Sequence, residues 1–363
     1  MLNRREFLTG RPSAPLNILI LGGTGFTGPE QVEYALARGH RVTLFNRNKT
    51  RPNFFKGKVH EELVGDLNGD VSALAGKTFD VVIDNPTTFP FWVRNAAQHL
   101  AGHTKHYIFI STESVYPDNS VPNADESAGT TPMPEGLDPY TIVPADAGKY
   151  YGALKSFSER EVEKQYPGIN TIIRAGLIVG PLDRSDRFTY WPVRIDKGGE
   201  VMAPGAPNHP AQIIDSRDLA EFMVRLAEQR VFGTYNVTGP AKPMTMHEML
   251  SGIRSVTTAG AQFTWVPADF LKANGIAAWR HMPTWIPPEG ATAGFLMRSN
   301  AKAISKGLTF RPLAVTAKDT LDWHKTRPEA DQAKLAEGAI AGISAAKEAE
   351  VLAAWKTKQK AAP

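Results

Sequence analysis

The run L-N-I-L-I-L-G-G-T-G-F-T-G at Leu16 to Gly28 constrains this chain more than any other stretch. An apolar segment of strand length leads straight into Gly22, Gly25 and Gly28, three residues apart. Glycines at that spacing let the backbone turn tightly and open the N-terminus of the next helix to a pyrophosphate. The residues of this turn, Gly22, Thr24, Gly25, Phe26, Thr27 and Gly28, are therefore candidate dinucleotide contacts. A helix over Gly28 to Arg38, stopped by Gly39, and a second strand at Arg41 to Phe45 supply the context that a Gly-rich string alone lacks.

Further strand-like runs follow at Glu62 to Gly65, Asp80 to Asp84, His106 to Ser111 and Thr171 to Arg174, with helical stretches at Phe91 to Leu100 and Ala147 to Gln165. This alternation predicts an α/β fold, a doubly wound parallel Rossmann sheet with a smaller C-terminal substrate lobe. Pro117 to Pro139 reads as a loop. The expected organisation is an extension at 1–15, a dinucleotide-binding domain at 16–175 rejoined by 211–238, a substrate lobe from 176–210 and 239–327, and a tail of surface helix at 328–363.

The 363 residues suffice for such a two-part body, and 42% hydrophobic with 21% charged residues is ordinary for a globular protein. The formal charge of +4 is small for this length, and no dense basic run favours a nucleic-acid partner. No apolar stretch approaches the ~20 residues that span a bilayer. The absence of cysteine excludes disulfides and thiolate chemistry. Asn3 to Leu8, N-R-R-E-F-L, looks like a twin-arginine export signature but lacks the apolar segment that should follow. The sequence as it stands reads as cytoplasmic, or as periplasmic if that stretch is the remnant of an export signal.

Tyr151 and Lys155 are four apart and share a helix face, whereas the neighbouring Tyr150 has Leu154 at that spacing. A phenol is a poor base near neutral pH, and an adjacent ammonium favours its phenolate. The strand I-F-I-S-T-E-S-V-Y at Ile108 to Tyr116 ends in hydroxyls that can donate to a substrate oxygen, at the strand end where such sheets bind ligands. Glycine turn, hydroxyl-bearing strand end and Tyr/Lys helix follow one another along the chain, and together they point to hydride transfer to or from a nicotinamide.

On the motifs L-G-G-T-G-F-T-G, S-T-E-S-V-Y, Y-G-A-L-K and R-A-G-L-I-V-G-P, the chain resembles the extended short-chain dehydrogenase/reductase family, the NAD-dependent epimerase/dehydratase group, over roughly Asn17 to Arg327. R-G-H-R-V-T-L-F-N-R, D-R-F-T-Y-W-P and I-D-S-R-D-L-A resemble a branch related to plastid RNA-binding proteins. The resemblance implies that Thr112 is the catalytic hydroxyl, Tyr151 the proton donor or acceptor and Lys155 its partner. It also implies that Leu177 and Ile178 meet the nicotinamide carboxamide, that Asp66 and Leu67 meet the adenine, and that Asn85 flanks the cofactor. Dehydratases of the family carry an Asp-Glu pair after the threonine; here the pair is Glu113-Ser114, which disfavours water elimination.

The second strand ends in Asn46-Arg47 rather than an acidic residue, with Lys49 and Arg51 behind, a pattern that leans towards NADP over NAD. Arg187, Phe188, Tyr190, Trp191, Arg194 and Gln212 form the sharpest candidate substrate cluster, joined by Thr87 and Glu113, since aromatic faces among hydrogen-bond donors suit a polar ligand. Trp285 is a weaker candidate on the same logic. His99, His103 and His106 lack neighbouring carboxylates or thiols and read as surface residues, so no metal site is expected. The expected function is NAD(P)-dependent hydride transfer to or from a secondary alcohol or ketone of a polar, carbohydrate-like small molecule. The alternatives are an epimerase working by transient oxidation with tightly bound cofactor, and a catalytically vestigial RNA-binding protein. A homodimer is compatible with all three.

Overall fold

In the computed structural model, which describes residues 14–361, seven parallel strands form the central sheet. They are β1 (Asn17–Leu21), β2 (Arg41–Asn46), β3 (Glu61–Val64), β4 (Val81–Asp84), β5 (Tyr107–Thr112), β6 (Asn170–Ala175) and β10 (Gly233–Val237), in the spatial order β10-β6-β5-β4-β1-β2-β3. Their sequences are runs of Ile, Leu, Val and Phe because both faces are covered, as parallel crossovers demand. Alternation along each strand sorts the core into two layers. Ile18, Ile20, Val42, Leu44, Ile83 and Ile108 face one way. They pack with helices α1 (Gly28–Ala37) and α5 (Ser216–Gln229) through Val32, Ala35, Leu219 and Phe222. Leu19, Leu21, Val82, Tyr107, Phe109 and Ile172 face the other way, against α2 (Pro90–Leu100) and α3 (Tyr151–Gln165) through Val93, Ala96, Leu100 and Val162.

A third core belongs to the C-terminal half. It packs the short helix α4 (Tyr190–Asp196), helix α6 (Met246–Arg254) and the paired strands β8 (Glu200–Pro204) and β12 (Gln262–Val266) around Trp191, Met202, Met249 and Trp285. The strand-helix-strand segment expected to rejoin the sheet does so only by its end. β10 pairs in parallel with β6, whereas β9 (Pro210–Asp215) pairs with β7 (Ile178–Val179) and β11 (Gly239–Thr245) in a separate three-stranded sheet. The tail helix Ala345–Ala361 is not merely a surface appendage, because Glu348, Val351 and Leu352 are buried against the third core.

The twin-arginine-like stretch lies outside the described residues. Among those described, no helix is long and apolar enough to cross a membrane. His106 is not a surface histidine: it is buried, its Nε2 lies 2.8 Å from Thr171 Oγ1, and burial pushes its pKa down to about 4.

Two glycines set the geometry of the sheet's C-terminal edge. A Cβ on Gly28 would lie 2.5 Å from the carbonyl carbon of Gly23, so only glycine lets α1 close onto the end of β1. A Cβ on Gly152 would lie 2.2 Å from the Ser114 carbonyl oxygen, so α3 touches the turn after β5 backbone to backbone. Gly152→Ala should force these two elements apart. The expected outcome is a loss of ~1–3 kcal/mol in stability, read by chemical denaturation, as is usual for overpacking.

Candidate active site

A cleft of about 780 Å³ opens at the C-terminal edge of the sheet and collects residues from β1, β2, β4, β5 and β6, their following loops and the C-terminal half. Crevices at this edge are where open parallel sheets bind ligands. The glycine turn forms its floor: Gly22, Thr24, Gly25, Phe26 and Thr27 line it, and Gly22 has φ +76°, a left-handed conformation suited to glycine. Gly28 lies behind the lining, where its part is the contact with Gly23. Asn85 lines the cleft, but its amide is committed to the scaffold. Nδ2 donates to Leu21 O and Gln31 Oε1, and Oδ1 accepts from Thr27 Oγ1 and Gln31 Nε2, so Asn85 ties β1, the turn and α1 together.

At one end of the cleft stand Asn46, Arg47, Asp66 and Leu67. The carboxylate of Asp66 accepts from Asn68 N, which shapes its turn, and Leu67 is buried with its carbonyl held by Asn95. Asn46 Oδ1 is buried and has no partner, whereas Arg47 and Lys49 are exposed where they line the cleft. Arg51 donates from Nη2 to Gly25 O and stacks over Phe54. These positions fit an adenosine end: an unpaired buried acceptor suits a ribose hydroxyl, and the glycine turn beside it at the start of α1 suits a pyrophosphate.

At the other end lie Thr112, Tyr151 and Lys155. Thr112 Oγ1 accepts from Ser114 N and donates to Ser114 Oγ, capping the turn Glu113–Val115. Tyr151 is the first residue of α3 and faces the cleft; burial raises its phenol pKa, while hydrogen bonding to Thr112 and the Arg187 guanidinium oppose that rise. Lys155 is buried one turn further on. Its Nζ donates to Thr87 O at 2.6 Å and to Ile110 O, and burial pushes its pKa down to about 8 against the opposing pull of Asp84 and Glu159. The Arg187 guanidinium favours the phenolate, while the Lys155 ammonium is spent on two backbone carbonyls. Lys155 thus binds the ends of β4 and β5 to α3. Leu177 and Ile178 line the same end.

The expected substrate cluster divides. Arg187 and Glu113 line the cleft. Phe188, Tyr190 and Trp191 do not: all three lie in the third core, and Trp191 donates from Nε1 to Pro283 O and Thr284 Oγ1. Arg194 is likewise structural, pairing with the buried Glu348 at 2.5 Å and donating to the carbonyls of Gly198 and Glu200. The cause is the backbone at Asp186. It takes φ +54° and is anchored by a buried ion pair to Arg327 at 2.6 Å, so the chain presents Arg187 to the cleft and turns the following aromatics inward. Trp285 is buried in the same core and donates to His209 Nδ1. Thr87 and Gln212 line the cleft with their polar atoms committed. The Thr87 hydroxyl donates to Asp84 Oδ1, and the Gln212 amide makes a two-way pair with the backbone of Arg298.

Sequence reasoning missed Arg298, Trp279 and Phe295, which close the substrate end. Trp279 lies beneath the Arg187 guanidinium and meets Phe295 edge to face at 5.4 Å. No local pattern distinguishes these residues, because tertiary packing alone carries them to the cleft. Among the described residues, no group of three or more His, Cys, Asp or Glu side chains could hold a metal ion.

Residues 18–84 match the profile of the NAD dependent epimerase/dehydratase family. The matched segment runs from β1 to the end of β4 and includes the glycine turn. Relatives of the chain include the photosystem II assembly factor Ycf39 of Trieres chinensis, 30% identical over 39% of this chain and 49% of that protein. The chloroplast stem-loop binding protein of 41 kDa b of Arabidopsis thaliana is 26% identical over 62% of this chain and 60% of that protein. The chain therefore matches between half and three fifths of these two. UDP-N-acetyl-alpha-D-glucosaminuronate decarboxylase of Bacillus cytotoxicus is 24% identical over 71% and 85% of the two chains. Among solved structures, a UDP-glucose 4-epimerase superposes with TM-score 0.61 at 16% identity over 86% of this chain and 98% of that one. UDP-glucuronic acid 4-epimerase from Bacillus cereus in complex with NAD superposes with TM-score 0.54 at 17% identity over 84% and 97%. The fold of these two epimerases is thus shared over most of the chain.

Glu113 carries the sharpest electrostatic consequence within this site. Its carboxyl is buried, Oε1 has no partner, and burial pushes its pKa up to about 8 despite Arg298 nearby. The folded state therefore binds a proton that the unfolded chain releases near 4.5, and stability falls as pH rises from there through about 8. One such group contributes a slope of at most ~1.4 kcal/mol per pH unit. Glu113→Gln should flatten the decline in melting temperature across this window, measured by thermal unfolding at a series of pH values.

Proposed function

We propose that this protein is a nicotinamide-dinucleotide oxidoreductase acting on a secondary alcohol or ketone of a polar, carbohydrate-like small molecule, with Tyr151 as the acid/base. The observation that carries this reading is the convergence of Thr112 and Tyr151 on one end of a cleft whose floor is the glycine turn. When bound, the dinucleotide accepts or donates the hydride. Residues of the glycine turn, with Asn46, Asp66, Leu67, Leu177 and Ile178, would hold it.

Thr112 and Tyr151 position the substrate oxygen. In the oxidation direction the Tyr151 oxygen takes the hydroxyl proton, and in reduction it returns it. Arg187 favours the phenolate against the burial that opposes it, and Lys155 keeps α3 in register with the strand ends. A lone carboxyl after Thr112, instead of an acid–base pair, argues against elimination of water.

NAD is the proposed cofactor. The unpaired Asn46 oxygen accepts from a hydroxyl, not from a phosphate, and of the cations behind β2 Arg51 is already bound to the glycine turn. The bias towards NADP inferred from Asn46-Arg47 thus finds no support here, and the relative named above with a bound dinucleotide holds NAD. NAD should raise the melting temperature more than NADP at equal concentration; equal or reversed shifts would count against the assignment.

Tyr151→Phe should retain the NAD-induced shift while oxidation of a sugar and sugar-acid panel falls by ~10²–10⁴-fold, the usual share of a general acid/base. Loss of both together would mean that the phenol supports the fold instead of the chemistry. Turnover without net formation of NADH would assign the same site to epimerisation.

A further inference from the structure

No described residue of the tail, 328–361, lines the cleft, yet the tail grips the chain beside two residues that do. These are Arg187 and Trp279, whose guanidinium and indole stack 5.6 Å apart at the substrate end. Trp279 holds φ +64°, and a bulky residue stays in the left-handed region only where its surroundings fix it. Part of that fixing is local, since Trp279 N donates to the carbonyls of Met282 and Trp285. The rest comes through the next residue. Arg280 donates from Nη1 to Gly338 O and Ile340 O and from Nη2 to Ala339 O, at 3.2, 2.6 and 2.9 Å. Its own carbonyl accepts from Gly342 N at 3.0 Å. One guanidinium thus satisfies three successive carbonyls just past the tail helix Glu329–Ala336.

The tail reaches Arg187 by a second route. Asp186, which presents Arg187 to the cleft, is anchored by Arg327, and Gln332 of the tail donates from Nε2 to Arg327 O at 2.8 Å. Gly342 lies so close to Tyr190, the first residue of α4, that a Cβ there would come within 2.0 Å of the ring. Further along, the buried Glu348 pairs with Arg194 of α4 and accepts from Met202 N. Gly342, at φ +79°, is where the two routes meet: its N–H serves Arg280 and its backbone supports Tyr190. A side chain carried on a loop keeps its geometry only as well as the groups behind it are held.

We propose that residues 328–361 brace the substrate end, with Arg280 and Gly342 as positioning residues that fix Trp279 and Arg187 against one another and so set how tightly the alcohol or ketone is held. The proposal rests on the hydride-transfer reading and extends it to a segment beyond Asn17 to Arg327, the stretch that resembles the dehydrogenase family.

The test joins hydrogen exchange of the full chain, read by mass spectrometry, to NAD-dependent oxidation of D-glucose and D-glucuronate. Gly342→Ala drives the tail loop off Tyr190, and Arg280→Met releases the three carbonyls. In both variants the amides of 185–190 and 277–285 should exchange about tenfold faster or more, while those of 18–28 in the glycine turn keep the wild-type rate, the mark of local opening. For either sugar that the wild type oxidises, KM should rise about tenfold and kcat fall by a smaller factor, as when binding is lost alike in the ground and transition states. The NAD-induced thermal shift should be kept. Arg280→Lys, which still donates to part of the carbonyl set, should recover part of the loss and serves if Gly342→Ala does not fold. Unchanged exchange at 185–190 and 277–285, an equal rise at 18–28, loss of the NAD-induced shift or an unchanged KM would overturn the proposal. A wild type that oxidises neither sugar counts against the hydride-transfer reading instead, and the exchange pattern then decides the brace by itself.

Discussion

A buried ammonium holds the working edge of this protein together. Lys155 reaches from α3 to the carbonyl of Thr87 beyond β4 and to that of Ile110 within β5. Beneath it, Asp84 accepts from both Thr87 Oγ1 and the Tyr107 hydroxyl, so strand ends that diverge in sequence are joined by one polar network. Such a network is worthwhile only when its members are satisfied, and these are. The backbone contact at Gly152 brings the first turn of α3 against the turn after β5, and Tyr151 and Thr112 meet as a result.

The two halves of the chain divide the electrostatics of the cleft. The N-terminal half contributes the Tyr151 phenol from α3, the Thr112 hydroxyl from β5 and the Glu113 carboxyl from the turn after it, and burial favours the uncharged phenol and carboxyl. Arg187 and Arg298 come from outside the sheet, each placed by a separate device: a left-handed residue anchored by an ion pair for one, an amide clamp for the other. The phenol and hydroxyl on the one hand and the two guanidiniums on the other thus rest on different parts of the fold, and loop changes can alter the second without disturbing the first. That separation is consistent with relatives that carry names as different as epimerase, decarboxylase, assembly factor and stem-loop binding protein.

The sheet was legible because its inner strands β1, β4 and β5 are largely apolar runs, and the strands from Asn17 to Ala175 fall within a residue or so of their expected bounds. The Tyr151 and Lys155 helix was legible for its spacing. Less so was any residue whose role depends on which way a loop turns. Trp191 and Tyr190 look like ligand contacts beside Arg187, but a helix of seven residues that begins after a left-handed Asp186 points them into a core. The β9 strand has the same composition as a sheet strand, and its diversion into a separate sheet follows from pairing with β7 and β11, which are remote or too short to read.

The sequence by itself determined the parallel sheet, the glycine turn and the order of hydroxyl, phenol and ammonium along the chain, because each is encoded in local spacing and strand apolarity. Only the tertiary structure decided that Lys155 is tied to the strand ends and that Arg187 lines the cleft with Tyr151. It also decided that Gln212 spends its amide on Arg298, and that Arg298 reaches the substrate end at all. The physical reason is that a side chain's charge acts on whatever packs beside it, and those neighbours come from segments up to 180 residues away in the chain.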